Sequence, residues 1–168
     1  VNDYTVLTCV DRHTHKVVAW DRYNKIDYPI QKNRIVSLAR RYNNARIIID
    51  STGVGNPITD DLRRESLIID DFKFSNKSKD ELVQKLNLFI EEQGIFIPNE
   101  PIIIDELKQF GVEVTDRGNI TYSAPVGLHD DCVMSLGLAV WGLYSTDTIK
   151  DKKEDPINFL LEEPTRRK

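Results

Sequence analysis

Cysteine is scarce in this sequence. Cys9 and Cys132 are the only two among 168 residues, and they have neither the number for a disulfide framework nor the spacing of a thiolate metal site. A reducing compartment is the default expectation. Long apolar runs are missing too: nothing approaches the roughly 18 consecutive residues that a bilayer demands, and no charged segment followed by an apolar one opens the chain. With 8 glycines and 7 prolines the composition is neither collagen-like nor that of a disordered chain. No Gly-x-x-x-x-Gly-Lys-Ser/Thr segment occurs, so P-loop ATP chemistry is not expected. An excess of positive charge is also lacking. The 23 basic and 27 acidic side chains give a formal charge of −4, which argues against simple electrostatic wrapping of nucleic acid and leaves room for a local basic groove. What is present is 40% hydrophobic and 30% charged residues, the balance of one globular domain of ordinary size.

Strand and helix patterns alternate along the chain. Tyr4–Val10, β-branched and aromatic, and Lys16–Trp20 read as a hairpin around a polar His13-Thr14-His15 turn. Ile35, Leu38, Ala39 and Tyr42, at spacings of three and four, predict a helix over 31–42. Ala45–Asp50 is almost wholly apolar and reads as a strand buried on both faces, as in parallel sheets. A loop over 51–57 leads to a short helix from Pro57 to about Glu65, and a further strand is expected around Leu67–Ile69, continuing toward Phe74. Ser78 is placed as the N-cap of the clearest helix, whose face carries Leu82, Val83, Leu86, Phe89 and Ile90. Ile95–Ile97 reads as a short strand stopped by Pro98, 102–110 as an amphipathic helix, and 113–122 as a hairpin turning at Asp116–Asn119. The segment from Asp130 to about Tyr144 is apolar nearly all round, hence a buried helix. Six acidic and six basic side chains then replace the periodicity, so 1–146 reads as the folded domain and 147–168 as a charged C-terminal tail. The fold class is α/β, a mixed sheet flanked by helices.

Two features carry chemistry. Asp50 closes an apolar strand and is followed by Gly53-Val54-Gly55. Ligands gather at the carboxyl ends of parallel strands, and glycines admit a close backbone approach. An Asp there also caps turns, and on its own that reading stays open. The second feature is Asp130-Asp131 after His129, opening the most apolar helix. A helix N-terminus favours ionised acids, and a doubled N-cap is the plain reading. One acid suffices as a cap, however, and its neighbour points about 100° around the helix. Were the three acids to share one sheet edge, like charges about 4 Å apart would cost about 4 kcal/mol at an effective dielectric near 20. Such a cluster persists only with a proton or a cation. All-oxygen ligands suit Mg²⁺ or Mn²⁺, and two such ions about 3.5–4 Å apart can activate water and stabilise the leaving oxygen of a phosphodiester.

Asp3–Asp11, Ile47–Pro57, Ser78–Leu82 and His129–Leu136 together resemble the C-terminal nuclease domain of the large terminase subunit of tailed bacteriophages, over roughly 1–146. The resemblance implies a ribonuclease H-like fold with an additional β-hairpin near the active site. It implies a metal-dependent endonuclease that cleaves concatemeric double-stranded DNA during viral genome packaging. By position Asp50 is the second metal-binding acid, and Asp130 and Asp131 supply the last, Asp131 being the first choice to bridge a metal. In this family the first catalytic aspartate lies on a strand just before the Asp-Tyr-Thr segment. That places it ahead of Val1, with Asp3 or Asp11 as the substitutes the sequence offers. The partners implied are the terminase ATPase domain, the small terminase subunit and the portal, in the cytoplasm of the infected bacterial host at the procapsid, with no membrane.

Lys73, Lys77 and Lys79 cluster at a strand-to-helix junction and, with Arg117 on the hairpin tip, are the candidate phosphate contacts; ordinary solvated side chains are the plain alternative. His129 is expected to support the acids without ligating metal. Two other functions remain: a junction-resolving nuclease of the same fold, and a catalytically idle domain that docks to the packaging motor.

Overall fold

The computed structural model describes residues 4–53, 57–114, 120–123 and 129–150. The chain opens with β1 (Thr5–Val10) and β2 (Val17–Tyr23), paired antiparallel with Thr5 opposite Tyr23 and a register shift between Cys9 and Val10. Asp11 closes the turn between them: its Oδ1 accepts the N–H of His13 at 3.1 Å and of Thr14 at 2.7 Å. The predicted hairpin is therefore present, and its second strand runs on to Tyr23.

Helix α1 (Tyr28–Arg41) begins earlier than the periodicity indicated. Extended Asp27 precedes it, Pro29 sits in the first turn where its missing N–H costs nothing, and the Asp27 carbonyl accepts from Gln31 at 3.1 Å. Next come β3 (Ile47–Asp50), α2 (Pro57–Arg63) and β4 (Ile69–Phe72), with β3 and β4 parallel and Asp50 opposite Phe72. The parallel pairing was expected. Burial on both faces was not realised: Ile47, Ile48 and Ile49 are half-buried and Asp50 is exposed, because β3 borders an open cleft.

Helix α3 (Asn76–Glu91) is capped by Ser75, with Ser78 three residues in. The Ser78 N–H donates to Ser75 Oγ at 3.1 Å and the Ser75 N–H to Ser78 Oγ at 2.8 Å, a reciprocal capping box that starts the helix ahead of the predicted N-cap. Leu82, Val83 and Leu86 face inward, Phe89 is half-buried, and Ile90 points outward at 39% exposure, so the predicted face was one residue too wide. The predicted strand at Ile95–Ile97 is a single parallel bridge between Lys16 and Phe96. Helix α4 (Pro101–Gln109) and the antiparallel pair β5 (Gly111–Val114) and β6 (Ile120–Ser123) follow; the intervening turn lies outside the described residues.

Helix α5 (Asp131–Lys150) packs on α3, α4, β1 and β3. It runs past residue 146, so the boundary read between domain and tail falls inside a helix. Two glycines permit its close approach. A Cβ on Gly137 would overlap the fully buried Leu82, and one on Gly142 would meet Ile48 Cγ1 at 3.0 Å. Leu86, Ile95, Val133, Leu136 and Val140 form the cluster beneath α5, while Ile35, Val36, Ala39, Leu62 and Leu67 form a second between α1, α2 and the β3–β4 pair. No helix among the described residues is long and apolar enough to cross a membrane.

The described strands form three two-stranded ladders. Between two of them lies a cleft of about 1210 Å³, walled by β1 on one side and β3 on the other and lined by α1 and α5. Tyr4, where β1 begins, bonds the start of α5, and Tyr42, just before β3, donates its hydroxyl to Val18 of the hairpin at 3.0 Å. The two walls therefore run in opposite directions, and the end of β3 lies on the same side as the start of β1.

Candidate active site

Asp50 reaches the site as the last residue of β3. Its Oδ1 accepts the Thr52 N–H at 2.9 Å and the Thr52 hydroxyl, and that hydroxyl in turn accepts the Phe74 N–H at 2.9 Å. The turn-capping reading of Asp50 is thus realised, and the carboxylate lines the cleft as well.

Asp131 is the first residue of α5, where the helix dipole presents its positive end. Its Oδ2 accepts the Tyr4 N–H at 3.4 Å and lies 3.5 Å from His129 Nδ1, whose ring stands edge-on to Tyr4 at 5.1 Å. Burial holds the Asp131 carboxyl above the ordinary aspartate range, the Tyr4 N–H pulls against it, and Glu106 pushes in the same direction as burial. Asp131 lines the same cleft as Asp50.

The doublet divides its duties. The Asp130 carbonyl accepts the Met134 N–H at 2.9 Å, and its carboxylate pairs with Lys79 Nζ at 3.2 Å. Lys79 itself lines the cleft. Lys73 and Lys77 are exposed beside it in sequence, Lys77 lying 3.9 Å from Glu81; Arg117 lies outside the described residues. Asp3 does too. Asp11 caps its turn at the far end of β1, about 20 Å of extended strand from Tyr4.

Sequence reading missed Glu106. It is 9% exposed, accepts the Cys132 N–H at 2.8 Å with one carboxylate oxygen, and faces Arg22 Nη2 at 3.3 Å with the other. Its signal was present: Glu106 falls on the apolar stripe of α4, three residues after Ile103 and four before Phe110, where a charge has no business without partners. Burial and Glu106 together push the Cys132 thiol up to about 12, which leaves it inert.

The donors at hand are carboxylate oxygens, which fit a hard divalent cation in kind. Asp50 and Asp131 share one cleft, yet among the described residues no three His, Cys, Asp or Glu side chains are gathered tightly enough to hold an ion.

Among solved structures the chain is similar to the large terminase nuclease of the thermophilic phage G20c crystallised with magnesium, at 31% identity and a TM-score of 0.78 over 83% of this chain and 74% of that one. It is also similar to the large terminase nuclease domain of Thermus phage P74-26, at 29% identity and a TM-score of 0.75 over 83% and 72%. The fold is that of a ribonuclease H-like domain. Residues 1–141 match the family described as the terminase RNaseH-like domain, and the chain belongs to that family. A large terminase subunit of Thermus virus P23-45 is 33% identical over 138 residues, 82% of this chain and 28% of that protein. The chain thus spans little more than a quarter of that curated relative.

Proposed function

We propose that this domain is the DNA-cleaving part of a phage packaging terminase, a divalent-metal-dependent endonuclease acting on concatemeric double-stranded DNA. One observation carries the reading: Asp50 and Asp131, about 80 residues apart in sequence, line one cleft beside Lys79. Relatives crystallised with magnesium, cobalt and zinc support a hard or borderline divalent ion. Asp50 and Asp131 would hold it, and Asp130 joins them when Lys79 turns from it to a DNA phosphate. A further carboxylate, as the resemblance expects, would complete the ligand set beside Asp50 and Asp131. When bound, Mg²⁺ or Mn²⁺, as one ion or a pair, polarises a phosphoryl oxygen and lowers the pKa of its water.

The protein's own residues do the rest. Thr52 fixes the Asp50 carboxylate, the Tyr4 N–H and His129 fix Asp131, and Lys73, Lys77, Lys79 and Arg117 meet the phosphate backbone without reading bases. The β5–β6 pair would flank the DNA. The ATPase domain, small terminase subunit and portal are the proposed partners, at the procapsid in the host cytoplasm.

Plasmid nicking tests this. Cleavage with Mn²⁺, abolished by Asp50→Asn and by Asp131→Asn, is the expected result. Preference for four-way junctions over linear duplex would favour a resolvase, and no cleavage at all a docking domain.

A further inference from the structure

Around the first turn of α5 the side chains close a ring. Asp131 accepts from the Tyr4 backbone at 3.4 Å. The Tyr4 ring lies under the Arg22 guanidinium, 3.5 Å from centroid to carbon. Arg22 faces Glu106 at 3.3 Å, and Glu106 accepts the N–H of Cys132, the residue after Asp131, at 2.8 Å. The residue before β1 and the elements β2, α4 and α5 thus meet around two carboxylates, Asp131 and Glu106.

Each link has a reason. The first N–H groups of a helix have no partner in their own helix, and a buried one must find an acceptor elsewhere. Glu106 supplies it from α4. A buried carboxylate without a cation is expensive, so Glu106 requires Arg22, whose side chain is only 15% exposed. Arg22 sits over the face of the Tyr4 ring, a contact that a planar guanidinium suits better than an ammonium. Tyr4 returns to Asp131 through its own N–H. Of the ring, only Asp131 and Tyr4 line the cleft.

We infer that Arg22 and Glu106 are positioning residues of the metal site: through the Cys132 N–H and the Tyr4 ring they fix the first turn of α5, so that the Asp131 carboxylate is presented to the ion in one orientation. The inference rests on the proposed metal-binding role of Asp131. A cation site depends on such supporting contacts, whose loss costs about 10–100-fold in metal affinity. Arg22 and Glu106 act as one unit, so removing either should cost as much as removing both.

Mn²⁺ titration calorimetry and plasmid nicking on Glu106→Gln, Arg22→Met, the double variant and Arg22→Lys provide the test, with melting temperature recorded for each. Glutamine keeps an acceptor for Cys132 and loses the charge. Expected is an approximately tenfold weaker Mn²⁺ affinity for both single variants and for the double variant. The Mn²⁺ needed for half-maximal nicking should rise in step, with the rate recovering at saturating Mn²⁺. Arg22→Lys, which restores charge without the stack, should recover part of the loss. Lower melting temperatures with unchanged Mn²⁺ affinity would make the pair a stability element only and overturn the inference. Asp131→Asn is the control on the underlying reading. If it binds Mn²⁺ as the parent does, or if the parent binds none, the metal role of Asp131 falls first. If it loses Mn²⁺ while the folded Arg22 and Glu106 variants keep it, the positioning role alone falls.

Discussion

Lys79 Nζ lies 3.2 Å from Asp130 Oδ2, tying the first turn of α3 to the residue just before α5. Both side chains are 29% exposed, so solvent screens the pair and its stability is about 0.5–1 kcal/mol. Its larger role lies with the substrate. Lys79→Met should lower the melting temperature slightly and reduce the salt dependence of DNA binding by about one counterion, measured by fluorescence anisotropy on the Asp50→Asn background.

Asp131 is a cost that the domain bears for its site. Its carboxyl is raised, first by burial and then by Glu106, so the native state holds that proton to higher pH than the unfolded chain. The penalty is absent below the unfolded aspartate range, grows as pH rises through the raised pKa, and is complete at neutral pH. Without metal, Asp131→Asn should melt no lower than the parent at pH 7 and should lose any advantage in acid. With millimolar Mn²⁺ the parent should gain melting temperature and the variant should not; scanning fluorimetry reads both.

Asp11 shows the opposite sign. The Thr14 N–H and then the Thr14 hydroxyl hold its carboxyl below the usual range. That contribution is present above the unfolded aspartate pKa and fades as pH falls through the depressed one. Asp11→Asn should therefore flatten the acid side of the melting-temperature profile. Nicking at pH 7 should be unchanged, and a loss there would return Asp11 to the list of ligands.

Gly137 faces the fully buried Leu82 across the α3–α5 contact, and a methyl group has no room. Gly137→Ala should destabilise the domain by about 1–3 kcal/mol in urea titration, despite the better helix propensity of alanine. A neutral or stabilising result would mean that α3 and α5 part more easily than their packing indicates.

Much of this was readable in the sequence. The β1–β2 hairpin, the parallel strand before Asp50 and the apolar helix after the Asp130–Asp131 doublet all follow from local alternation, β-branching and periodicity. Helix starts were read late. Pro29 in a first turn and the Ser75–Ser78 box are signals that lie outside the hydrophobic stripe. The split of the doublet, with Asp130 toward Lys79 and Asp131 toward the cleft, depends on how α3 and α5 pack, 51 residues apart for the first pair, and no local pattern encodes it. The place of Glu106 on the apolar stripe of α4 was legible, but its partners Arg22 and Cys132, 84 and 26 residues away, were not. The half-burial of β3 belongs to the cleft, a property of how the ladders sit together.

The cleft lies between β1 and β3, which do not pair with each other among the described residues. A strand edge accepts extended chain through its backbone amides and carbonyls. An extended segment seated between those strands would lie against both Asp50 and Asp131, so whatever occupies the cleft also bears on the two carboxylates.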